Sequence, residues 1–230
     1  MEREKENIQS AGNIHTARGG IYTFGYKCFS SQPNAAFYGL LSDILPRLKE
    51  IAASSEKDDM NGAVETLERF IDKKAALKGK EADEFELDIQ RKYAYLMCLP
   101  SSAAQEESRY VSKDGLLNQK PHDDMIKLFN KYDIRLSDNK YYYDHVSVEL
   151  AFMGRLAYLS ADVPENSSEY ENLIKEQLDF HREHFDKWIY EYFERIKRVN
   201  IDDEILFKPI SQFMSGFIRE DKLFLENLHV

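Results

Sequence analysis

Turn-forming residues are scarce in this chain. Only 10 Gly and 6 Pro occur in 230 residues, too few to punctuate a strand-rich sandwich, which needs a turn every ten residues or so. There are only two cysteines, Cys28 and Cys98. They are far apart, form no C-x-x-C pair and have no histidine at ligand spacing, so neither a disulfide framework nor a structural zinc site is expected. They read as core or free thiols. Phosphate cradles are missing as well: there is no G-x-x-x-x-G-K-[ST] or G-x-G-x-x-G, and the pair Gly19–Gly20 does not follow a strand. No H-E-x-x-H or G-x-S-x-G is present, so the common hydrolase signatures are excluded, and no cofactor is expected. The first ten residues are rich in Glu and Lys and precede no apolar run of membrane length. Neither export nor membrane spanning is expected, and a cytoplasmic location follows as an expectation. Basic residues are outnumbered, 31 against 41 acidic, for a formal charge of −10. That balance argues against a nucleic-acid partner and suits a cationic one.

What remains is a helical composition, 43% hydrophobic and 31% charged, in a length suited to one large domain. Helical periodicity begins near Thr16 and runs through Ile21, Phe24 and Phe29. A second helix, about 33–54, contains Pro46, which either kinks it or starts a separate turn. Helices are expected over 58–78, with Gly79 as its C′ residue, and over 81–99 before Pro100. From 100 to 121 the pattern lapses, leaving a connecting loop between a sub-lobe at about 14–99 and another at about 122–230. The second sub-lobe begins with a short helix at 122–133 and a polar loop leading to Tyr141, Tyr142 and Tyr143. A helix follows over about 145–160, apolar around so much of its circumference that it should be central. Its successor begins either after Asp162 and Pro164 or at a capping box of Ser168 and Glu171. It runs to Val199, and a last helix spans about 202–225. The sum is an all-α chain of about eight to ten helices.

Two clusters bear on function. Asp144 at the N-cap, His145 in the first turn and Glu149 one turn on would gather at the mouth of the central helix. Capping alone accounts for an acid there, but carboxylates beside an aromatic loop also suit a cationic peptide, with Arg bidentate to Asp144 or Glu149. Three consecutive tyrosines cannot all point inward, so at least one should face a partner. The second cluster, His181 and His184 on roughly one helical face, admits a metal site and hence a helical hydrolase using His145, His181 and His184. The plainer reading stacks His184 beside Trp188 one turn on.

The run Tyr143–Met153, Y-D-H-V-S-V-E-L-A-F-M, resembles the redox-enzyme maturation chaperones of the TorD, DmsD and NarJ type. Those carry Pro-Asp-His followed by a helix of the form E-L-x-F-M; here Tyr143 replaces the proline. E-S-R-Y at 107–110 followed by Gly115, Leu116, Leu117 and Pro121 is similar to the family's mid-chain loop. H-x-x-F-x-x-W from His181 resembles its late helix, and Arg18, Tyr22 and Phe29 suit its first. Lys120 stands where many relatives place Glu. The resemblance implies a single all-α domain of two sub-lobes joined by a hinge. It implies no catalysis, and as partner the twin-arginine signal peptide or N-terminal segment of a molybdenum-cofactor oxidoreductase. Asp144 and His145 match positions implicated in peptide binding in that family; Glu149, Tyr110 and Tyr143 join them on physical grounds. A generic helical adaptor is the remaining alternative.

Overall fold

The computed structural model describes residues 2–55, 58–99, 103–136, 140–201 and 206–228, and the side chains of all of these except 2–11 and 58. The fold is all-α, as the composition predicts; among the described residues, extended backbone pairs only in an isolated antiparallel bridge between Glu106 and His145. In order, the helices are α1 (Glu2–Ser30), α2 (Ala35–Ser54), α3 (Asp58–Ala76), α4 (Lys80–Met97), α5 (Ser108–Val111), α6 (Lys120–Lys131), α7 (Val146–Asp162), α8 (Ser168–Phe180), α9 (Asp186–Arg198) and α10 (Phe207–Leu228). A π-helical turn, His181–Phe185, lies between α8 and α9.

Several boundaries differ from those the sequence suggests, for local reasons. α1 begins at Glu2 rather than near Thr16, because Glu, Lys and Gln favour helix without leaving an apolar stripe to read. α2 runs through Pro46 as one element, started by Asn34, whose side chain accepts from the Phe37 N–H at 3.0 Å. Gly79, at φ 55°, sits directly before α4 and makes the α3–α4 turn in the left-handed region that glycine tolerates. The lapse after residue 103 is not structureless: it holds α5 and the Glu106–His145 bridge. α6 begins at Lys120, before the expected His122, with Pro121 in its first turn, where a missing N–H costs nothing. α8 is capped by Ser167, which accepts from Tyr170 N–H at 3.1 Å, rather than by either expected start. The expected start of the last helix at Asp202 and the start of the lapse at 100–102 lie outside the described residues.

The chain divides into two compact units. One gathers Met1–Tyr26, Glu106–Trp188 and Asp221–Val230; the other gathers Lys27–Gln105 and Ile189–Glu220. In the second unit α2 packs on α3, and Phe29 meets the rings of Tyr192 and Phe193, each at 5.7 Å. Cys28, with a free and buried thiol, belongs to this unit, as does Cys98, free and exposed.

The first unit is built on α7, whose buried residues occupy nearly every side, from Val146 through Phe152 and Met153 to Ser160. Such a helix must be enclosed by its neighbours. α8 packs against it, and α1 comes close enough to require glycine. A Cβ on Gly19 would stand 2.8 Å from the Tyr158 ring, and one on Gly154 would stand 3.2 Å from Tyr22 Cβ. Of the Gly19–Gly20 pair, Gly19 thus serves helix packing, whereas a Cβ on Gly20 would meet Tyr158 Oη only at 4.0 Å.

The same unit buries an ion pair. Arg18 grips Asp221 through Nε at 2.5 Å and Nη2 at 3.0 Å, and Nη2 also donates to Gln177 Oε1 at 2.8 Å. Tyr22 donates to Asp221 at 2.7 Å. Because a guanidinium can only donate, His15 Nδ1, 2.7 Å from Arg18 Nη1, accepts, and His15 Nε2–H faces Tyr170 Oη at 2.9 Å. Burial and then the Arg18 charge push the His15 imidazole down to about 4. For Asp221, burial works the other way, but the Arg18 charge and the bonds from His181 and Arg18 prevail and hold the carboxylate well below its usual range.

Candidate functional site

The segment before α7 is where sequence and structure meet most closely, and the roles there are redistributed. His145, not Asp144, is the N-cap of α7: its Nδ1 accepts from Ser147 N–H at 3.2 Å and faces Ser147 Oγ at 2.8 Å. An accepting Nδ1 requires a neutral ring, and burial followed by the Lys140 charge pushes the imidazole down to about 3. Asp144 lies one residue earlier and caps a different helix. Its Oδ2 accepts from the N–H of Ser108, the first residue of α5, at 2.9 Å, while its backbone carbonyl accepts from Glu107 N–H at 2.9 Å. A long-range cap of this kind leaves no sequence signal.

Asp144, His145 and Glu149 are all buried; Glu149 is 0% exposed. Glu149 Oε2 accepts from Trp188 Nε1 at 3.0 Å. Burial, then the neighbouring Glu107 charge, pushes its carboxyl well above the usual range against the opposing Trp188 bond. Glu107, 1% exposed, lies 2.6 Å from His184 Nδ1 through Oε2. Ser108 Oγ accepts from Gln119 N–H at 3.1 Å, tying α5 to the start of α6.

Around this buried polar centre the aromatic residues are graded in exposure. Tyr141 lies over the His145 ring at 4.4 Å, Tyr143 packs edge-on against His122 and Phe129, and Tyr142 is the exposed member of the three. Tyr110, half-buried, packs on Trp188 at 5.2 Å. Tyr143 and Tyr110 are thus held by different partners, α6 for the first and Trp188 for the second.

The histidines expected to share a metal do not converge. His181 Nε2 faces Asp221 and Tyr22, each at 3.5 Å, His184 faces Glu107, and His145 faces Ser147. The π-helical turn is the cause: wider than an α-helical turn, it shifts the register between α8 and α9. His184 consequently stacks on Phe180 at 4.6 Å rather than beside Trp188. Glu107 is the residue that sequence reasoning passed over, although it belongs to the stretch E-S-R-Y, and Trp188 enters that reasoning only as a neighbour of His184.

Glu107, His184 and Lys187 line a cleft of about 390 Å³ with Gln119, Lys120, Pro121, Asp124 and Glu183. An adjoining one of about 360 Å³ adds Leu128, Glu176, Asp179 and Phe180. Four of the lysines that line them are neutralised: Lys120 and Lys127 pair with Asp124, Lys131 with Glu176 and Lys187 with Glu183.

Residues 54–194, more than half the chain, match the family model described as nitrate reductase delta subunit. Three similar curated proteins are all named chaperone protein TorD. That of Vibrio parahaemolyticus is 26% identical over 76% of this chain and 79% of its own length. That of Aliivibrio fischeri is 32% identical over 58% and 61%. That of Photobacterium profundum is 30% identical over 70% and 74%. No solved structure gives a significant match. No helix among the described residues is long and apolar enough to cross a membrane. These relatives are chaperones and not enzymes, which sets aside the hydrolase alternative. The chain belongs to the TorD and NarJ family of chaperones, the family of the nitrate reductase delta subunit.

Proposed function

We propose that this protein is a cytoplasmic maturation chaperone for a molybdenum-cofactor oxidoreductase, of the dimethyl sulfoxide, trimethylamine N-oxide or nitrate reductase type. It binds the twin-arginine signal peptide or another N-terminal segment of the precursor before export or assembly. The observation that carries this reading is the family membership just described, joined to a site whose buried side chains brace a binding frame. Asp144, His145 and Glu149 act from beneath, because all three are buried; they fix α5, the start of α7 and Trp188. Tyr143 and Tyr110, only half-buried, supply contact surface to the apolar stretch of the peptide. The acids of the neighbouring clefts, Asp124, Glu176, Asp179 and Glu183, suit its paired arginines, since a guanidinium can exchange with the lysines that now hold them. Ordering a flexible peptide costs free energy, so moderate affinity is expected.

Affinity capture from the native host followed by identification of the retained protein tests the class: a molybdoenzyme precursor is expected, and its consistent absence would sink the proposal. Asp144→Asn tests the site, since it keeps an acceptor for Ser108 while removing the charge. Weaker binding of an Arg-Arg peptide at unchanged melting temperature assigns Asp144 a role in recognition. Equal binding, or loss that tracks unfolding, reduces Asp144 to a cap of α5.

A further inference from the structure

The buried polar centre holds more carboxylate than its donors can satisfy. Glu107, Glu149 and Asp144 lie within it at 1%, 0% and 0% exposure, and the side chain facing Glu107 there is the His184 imidazole. Glu149 Oε1 and Asp144 Oδ1 are fully enclosed with no N–H or hydroxyl donating to them, and the Glu149 carboxyl meets that of Glu107. An enclosed carboxylate oxygen that no donor reaches is destabilising, and the Glu149 and Glu107 carboxyls, meeting out of water, call for a proton or a cation between them. The lysines nearby cannot supply it, because Lys120 and Lys187 lie at the rim and pair with Asp124 and Glu183.

One atom each from Glu107, Glu149 and His184 lies within 4.8 Å of the others. We propose that these three side chains form a binding site for one divalent transition-metal ion of the zinc type. Three elements of the same unit deliver them: the residue before α5, the first turn of α7 and the π-helical turn. The π-helical turn is what aims His184 at Glu107 instead of along the α8 face, and such single turns recur at functional sites. An imidazole with two carboxylates is a donor set that suits zinc, whereas calcium and magnesium favour oxygen alone. Ligands about 2.1 Å from a tetrahedral ion stand about 3.4 Å apart, so the Glu107–His184 pair, at 2.6 Å, opens slightly while Glu149 closes inward. The ion takes the place of the His184–Glu107 hydrogen bond. Trp188 Nε1, donating to Glu149 at 3.0 Å, orients that ligand from outside, as partners of metal-bound carboxylates do. Glu107 and His184 both line the 390 Å³ cleft, which gives the ion a path in and leaves its fourth position to water. Three helical elements pinned by one ion make a brace for the binding frame, and no reaction is implied.

The test uses the whole chain, stripped with a chelator and titrated calorimetrically with Zn²⁺, and separately with Co²⁺ for its visible bands. One ion per chain is expected, with a rise in melting temperature. Glu149→Gln and His184→Ala should each weaken binding at least tenfold, while His122→Ala, a histidine outside the cluster, should leave it unchanged. X-ray absorption of the wild-type zinc complex should give a first shell of one imidazole nitrogen with oxygens and no sulfur, a readout that survives even if the variants fold poorly. Absence of stoichiometric binding, a shell containing sulfur or several imidazoles, or undiminished binding in folded Glu149→Gln and His184→Ala would overturn the site. Capture of a precursor by the metal-free chain bears on none of these outcomes, so the site and the chaperone function stand or fall separately.

Discussion

Trp188 shows how much one side chain can join. Its ring packs on Tyr110 and its indole N–H is bonded to Glu149, linking α5, α7 and α9. Trp188→Phe keeps most of the apolar bulk but leaves the buried Glu149 carboxyl without that donor. The expected loss is about 1–3 kcal/mol, measured as a lower urea midpoint with an unchanged slope. Residue identities in this region were largely legible: Asp144, His145 and Glu149 were each named from the sequence, and all three do lie at the mouth of a central helix. Their roles were not legible. A cap signal says that a helix starts nearby, but Asp144 caps α5, which is remote in sequence, and only the fold reveals that partner. Glu107 was invisible for the same reason, because a single Glu in a polar stretch looks solvated until a histidine from another helix is set against it.

At the scale of elements, the close approach of α1 to α7 depends on having no side chain at Gly19, where a Cβ meets the Tyr158 ring at 2.8 Å. Gly19→Val is expected to force the helices apart and cost about 1–3 kcal/mol. That would appear as a lower melting temperature in a protein of unaltered helical circular dichroism at 20 °C. Helix positions were mostly readable from apolar spacing and from Pro and Gly punctuation. The exceptions share a cause, the lack of an apolar face: the first turns of α1 are polar, and α5 is too short to display a period. The π-helical turn escaped for a different reason. H-R-E-H-F reads as ordinary helix, and only the way His181 and His184 diverge, one to Asp221 and the other to Glu107, discloses the wider turn.

For the molecule as a whole, the buried titratable groups set how stability depends on pH. His15 is held at about 4, below its ordinary 6.5. The unfolded chain therefore binds the extra proton first, and the contribution is complete above pH 6.5 and lost as the pH falls toward 4. Asp221 is held well below 3.8, so its contribution is complete above that value and lost only beneath it. Stability should decline in two stages on acidification. Replacing His15 by Asn should shrink the first stage by about 3 kcal/mol, leaving the share of His145, which is held at about 3, and leaving the second stage. Urea denaturation at a series of pH values between 7.5 and 3 checks both.

The Arg18–Asp221 pair has a further consequence, for synthesis. Arg18 and Asp221 are 203 residues apart in sequence, yet they belong to one compact unit. Protein chains emerge at roughly 5–20 residues per second, so a buried guanidinium waits many seconds for its carboxylate. Until then the first helix exposes a charge-bearing face with no counterpart, and the unit that carries the proposed binding site cannot close around it. A chaperone of this design becomes competent only after the segment carrying Asp221 has been made.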